Sequence, residues 1–207
     1  DRYNEMSNIN TTIKDLGCDS ELIELPKKNF LENMKDLIQY HDGPVSTITQ
    51  YIQSLLTSSI NKNGYKVAVS GTGADEIFTG YYDHFLLHLY SIKNSKSYQK
   101  NLSDWKEHIS NFVRNPNFKD PDLYIKNPRF RDHIYDRSKE ISQLLRKPYS
   151  NDFDETIFTK NLFSNRRLNE LFYENTPVIL HEEDLNSMKY SIENRSPFLD
   201  KKLVEFA

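Results

Sequence analysis

The chain has 207 residues, 37% hydrophobic and 28% charged, enough for one sizeable domain or two small ones. A formal net charge of −3 offers no electrostatic footprint for nucleic acid, and no apolar run approaches the roughly 18 residues that span a bilayer. Cys18 is the only cysteine, so an intrachain disulfide is excluded and the reducing cytoplasm is the expected compartment.

Asn8 to Leu16 reads as a helix stopped by Gly17, and Glu21 to Leu25 (ELIEL) alternates like a strand closed by Pro26. Asn29 to Tyr40 places Phe30, Met34, Leu37 and Ile38 on one helical face, with Asn29 as cap. Val45 to Ile60 reads as a long helix ending near Asn63-Gly64. Val67-Ala68-Val69 then has the form of a buried parallel strand between turn residues. This order of helix, strand, helix, helix and strand points to a parallel α/β unit.

After Gly80 the pattern turns helical. Tyr81 to Ile92, Trp105 to Val113, Asp154 to Leu171 and Tyr173 to Lys189 carry helical spacing, while the polar stretches 94–104 and 115–128 read as loops. From Arg195 a Pro-Phe turn leads to a final helix that Asp200 could cap. Trp105 and the aromatic residues belong to the core on this reading. Among the six histidines (41, 84, 88, 108, 133 and 181) only His84 and His88 form an i,i+4 pair, and no His-Glu-x-x-His order points to zinc. The run His181-Glu182-Glu183-Asp184 reads as a solvated helix face, with carboxylates presented to a cavity as the alternative.

Chemistry concentrates in residues 67–80, VAVSGTGADEIFTG. Ser70 to Ala74 sit at the carboxyl end of the expected strand, where open α/β sheets bind ligands. Gly71 and Gly73 let backbone N–H groups approach an anion, and Asp75 with Glu76 could bring Mg²⁺ to the same phosphates. A plain strand-to-helix connection with a capping Asp has the same appearance. The loop is neither a Walker A sequence nor a dinucleotide fingerprint. It also lacks the G-x-S-x-G elbow of serine nucleophiles.

A second stretch, residues 184–206, reads DLNSMKYSIENRSPFLDKKLVEF. Together the two resemble the synthetase domain of glutamine-hydrolysing asparagine synthetases and their amidotransferase relatives. There the pattern is SG-x-G-x-DE-x-F-x-GY, then SM-x-x-S-x-E-x-R-x-PFLD. Here Ser70 to Tyr81 carry the first, and Ser187 and Met188 through Glu193, Arg195, Pro197, Phe198, Leu199 and Asp200 the second. Arg2-Tyr3-Asn4-Glu5, Leu16-Gly17 and Asp42-Gly43-Pro44 are weaker matches, with Gly43 in place of an acid. Residues 95–150 match least and look like a variable helical insertion.

The resemblance implies a parallel α/β sheet of the adenine-nucleotide alpha-hydrolase (ATP pyrophosphatase) type with a large helical share. This chain would be a central fragment of one such domain: it begins with Asp, and the family's upstream phosphate loop, glutaminase domain and downstream lysine are not in it. The implied chemistry is ATP-dependent adenylation of a carboxylate, aspartate in the type case, with Mg²⁺ and pyrophosphate release. Ammonia from a separate glutaminase domain then forms the amide. Ser70, Gly71, Thr72, Gly73, Asp75 and Glu76 would make the cofactor site, with Asp75 holding the metal and Glu76 supporting the loop. Glu193 and Arg195 are expected to hold their segment under the loop. Thr72 stands where many asparagine-forming relatives carry Glu, and threonine is no unaided general base. A sugar-acid acceptor, or an inactive relative serving as a binding or regulatory module, therefore stays open. Nucleic acid and membrane are not expected partners; a homodimer is an open expectation.

Overall fold

The computed structural model describes residues 4–26, 28–131, 138–148 and 154–207; Arg2, Tyr3 and His133 lie outside them. The chain forms two compact units, Asp1–Ala68 with Glu182–Glu193 and Val69–His181 with Asn194–Ala207.

In the first unit, α1 (Met6–Leu16) ends where expected, because Gly17 adopts φ 61° and returns its N–H to Ile13 O at 2.9 Å. Helix α2 (Phe30–His41) starts after Asn29, but that residue is left-handed at φ 63° and makes no side-chain cap bond. Of the face predicted for α2, only Leu37 is buried. Helix α3 (Ile48–Lys62) begins three residues later than its apolar pattern does. Thr47 is extended, and Ser46 is held by Glu182, whose two carboxylate oxygens accept from its N–H (2.8 Å) and hydroxyl (2.6 Å).

Residues 21–25 are not a strand. Alternation suits a strand only where a second strand pairs with it, and none does among the described residues. Glu21 instead accepts from Ser59 Oγ and Asn63 Nδ2 on and after α3.

Helix α10 (Asn175–Lys189) corrects the solvated reading of its acidic run: Glu182 and Glu183 are buried, while His181 and Asp184 face water. At about 100° per residue, the inner pair 182/183 and the outer pair 181/184 point to opposite sides of a helix. One turn on, the fully buried Asn186 donates to Gln50 O and Oε1 (3.1 Å each) and lies 3.1 Å from His41 Nε2.

Strands β1 (Val67–Val69) and β2 (Glu193–Arg195) form a two-stranded parallel sheet, with Glu193 N–H on Lys66 O and Ser70 N–H on Arg195 O at 2.9 and 2.8 Å. The fold is therefore mixed α/β and mostly helical, and two three-residue strands do not by themselves define the ATP-pyrophosphatase sheet. β1 forms where predicted but is not buried, with Val69 71% exposed. A parallel strand is buried when helices cover both faces, and one neighbour strand does not supply that cover.

The second unit is built on α5 (Tyr82–Ser91), α6 (Tyr98–His108), α7 (Pro121–Lys126) and α9 (Leu162–Phe172). Between them lie a 3₁₀ turn at Pro116–Phe118 and α8 (Ser138–Gln143). Leu86, Leu87, Leu89, Trp105, Tyr124 and Phe130 form its core, with Tyr98, Leu102 and Phe163 against it. Two of the expected loops are thus partly helical. In α6, Tyr98, Leu102 and Trp105 make one stripe, and the polar residues that suggested a loop are its wet face. In α7, Asp120 caps through Asp122 N–H (2.9 Å) and Pro121 occupies the first helical position.

Residues 154–160 lie outside the helix predicted for Asp154 to Leu171. Asn165 Oδ1 accepts from Phe158 N–H, and Asn169 bonds both backbone groups of Thr156, at 2.8–2.9 Å. Asn161 then caps α9 through Ser164 N–H at 3.0 Å. Side-chain amides have taken over the hydrogen bonding that helix would have provided. No helix among the described residues is long and apolar enough to cross a membrane.

Candidate functional site

The loop 70–73 leads directly into α4 (Ala74–Phe78). Ser70 Oγ donates to Thr72 Oγ1 (3.2 Å) and lies 3.0 Å from Ser196 Oγ, so three hydroxyls adjoin. The two glycines serve different ends. Gly71 is exposed, and a Cβ there would meet nothing within 4 Å. Gly73 is required by the fold: its φ is +94°, and a Cβ would lie 2.3 Å from Leu199 Cδ2. Neither glycine N–H finds an acceptor among the described residues.

The acidic pair divides. Asp75 is exposed, with one carboxylate oxygen so close over Gly80 that a Cβ there would sit 1.8 Å from it. No cation pairs with Asp75 among the described residues. Glu76 is buried and accepts from Tyr81 Oη at 2.6 Å. Burial first, then this hydrogen bond and the Glu76 charge, push the Tyr81 phenol far up, so it remains a donor. Beside Ser70, Val69, Arg195, Ser196, Pro197, Leu199 and Asp200 line a cavity of about 460 Å³. Asp200 also caps α11 (Lys201–Phe206), accepting from Lys202 and Leu203 N–H at 3.0 and 3.2 Å, as the sequence suggested.

Residues 1–207 match the family model described as asparagine synthase. The chain belongs to the asparagine synthase family. No curated protein and no solved structure matches it. Membership supports a ligase or amidotransferase-like enzyme at the level of the family.

The donor set of this asparagine synthase-family loop fits a phosphate with Mg²⁺. The N–H groups of Gly71 and Gly73 and the Ser70 hydroxyl suit an anion, and the Asp75 carboxylate suits the cation. Thr72 stands among the hydroxyls. Glu76 faces inward and is not placed to share the metal.

Residues without a sequence signal complete the surroundings. Arg167, on α9, donates to the carbonyls of Glu76 (2.9 Å) and Ile77 at the end of α4. Deeper in the unit, the buried Arg166 bonds Asp83 (2.5 Å) and Glu155 (2.6 Å), and His84 Nε2 lies 2.7 Å from Glu170 Oε2. Asp83, His84 and Glu170 offer three ligand-type atoms within 4.8 Å, but Arg166 already engages Asp83 and His84 engages Glu170. His88, the other member of the i,i+4 pair, is exposed and takes no part. Sequence separations of 83 to 91 residues hid the contacts of Arg166 with Asp83, His84 with Glu170 and Arg167 with α4; the helical register of 166 and 170 was their only local sign.

Proposed function

We propose that this chain belongs to an ATP-dependent amide ligase that adenylates a carboxylate and forms an amide with ammonia derived from glutamine. The observation that carries the proposal is the loop 70–75. In an asparagine synthase-family chain it offers two N–H groups and a carboxylate that find no partner among the described residues, and a hydroxyl, beside a cavity. ATP with Mg²⁺ supplies the activation: the carboxylate attacks the α-phosphorus, the α–β anhydride bond breaks and pyrophosphate leaves. Ammonia then takes the acyl carbon, releasing AMP and one proton.

Gly71, Gly73 and Ser70 stabilise charge gathering on the leaving pyrophosphate, and Asp75 holds the metal that shares that charge. Glu76 and Tyr81 keep α4 in place beneath them. Thr72 leaves the carboxylate acceptor open, and with Gly43, which replaces an acid, it is what supports an inactive relative as the second reading. The test is pyrophosphate release by the intact protein with ATP, Mg²⁺, ammonia and a panel of carboxylates. Release with one acceptor is expected. Silence with every acceptor in a folded protein sinks the enzyme and leaves the binding module.

A further inference from the structure

Helix α4 has five residues, too few to persist by its own hydrogen bonds. Its carbonyls must therefore be satisfied from outside. Thr79, left-handed at φ 67°, and Gly80 both return their N–H groups to Asp75 O. The next two carbonyls, of Glu76 and Ile77, are bonded by Arg167 alone among the described residues. Arg167 is half-buried, its guanidinium 5.9 Å from the Phe163 ring, and one planar fork reaches two successive carbonyls. A cation at this end also complements the negative pole of the helix. At the other end, Gly73 is packed on Leu199 and hands the chain straight to the loop.

We propose that Arg167 is the positioning residue of the phosphate loop: by holding the Glu76 and Ile77 carbonyls of α4 it fixes the backbone that presents Gly71, Gly73 and Asp75. This rests on the reading of that loop as a pyrophosphate site. Ammonium cannot reproduce the fork, so lysine at this position holds one carbonyl at a time.

Two measurements on the intact protein test it. Amide exchange of residues 74–80 should quicken at least about tenfold in Arg167→Met, and less in Arg167→Lys, with α5 and α9 unchanged. Affinity for Mg²⁺–pyrophosphate should fall about tenfold in Arg167→Met and recover in part in Arg167→Lys, while Ser70→Ala lowers it without altering exchange. Unchanged exchange at 74–80 overturns the proposal, as does faster exchange with undiminished affinity. A wild-type protein that binds no pyrophosphate, even as exchange responds to Arg167, instead removes the site reading and the positioning role with it.

Discussion

Helix α5 is buried by opposite means in its first turn and in the turns that follow. In the later turns Leu86, Leu87 and Leu89 pack with Trp105, Tyr124 and Phe130. In the first turn Asp83 and His84 meet Arg166 and Glu170 of α9, all nearly inaccessible. The apolar part is held by area, which tolerates small shifts of position. The charged part is held by direction, since each buried charge must keep its partner or lose several kcal/mol. The same α9 that supplies Arg166 and Glu170 also supplies Arg167 to α4. On our proposal the directional part is the one that positions the candidate site.

The comparison breaks if the two parts fail equally when cut. Arg166→Met strands Asp83 and removes one partner of Glu155, and should cost about 4 kcal/mol in urea unfolding. Leu87→Ala removes a side chain that is 1% exposed and should cost about 3 kcal/mol. A loss from Arg166→Met no larger than that from Leu87→Ala would put both parts on the same footing. Adding Asp83→Leu to Arg166→Met should return about 2 kcal/mol, because the stranded carboxylate is gone. Failure to recover would show that packing, rather than the unpaired charge, set the loss.

Acid sharpens the same contrast. Burial holds Glu170 and Glu174 above the ordinary carboxylate value of 4.5, in spite of His84 and Arg131 respectively. The native state then binds more protons than the unfolded chain between 4.5 and those raised values. Their contribution is complete below 4.5 and is lost as pH rises through the raised values. Unfolding followed across pH should show this downward slope, and Glu174→Gln should make it shallower. An equal slope in wild type and variant would take Glu174 out of the account. The smallest effect belongs to the exposed Lys100–Asp104 pair of α6, 4.0 Å apart, where Asp104→Asn should change stability by less than about 0.5 kcal/mol.

Legibility along the chain followed the range of the controlling interaction. Gly17, the strand–turn–helix at 67–78 and the Asp200 cap were readable because each acts within a few residues. Residues 21–25 form no strand because none pairs with them among the described residues, and residues 154–160 leave the helix because Asn165 and Asn169 bond their backbone. The acidic run at 182–183 was misread because composition alone does not say which side of a helix packs.

Two long motifs in order carry the family, and a short apolar run followed by closely placed glycines marks the loop 70–75, because these are local properties of the sequence. The tertiary structure alone decided that Gly73 is held by Leu199, that Glu76 turns inward to Tyr81 while Asp75 stays outside, and that Arg167 holds α4. Those are meetings of residues from different helices and turns, some more than 90 positions apart. Whether a charge is stranded or paired there depends on which helices pack, which no short stretch of sequence encodes.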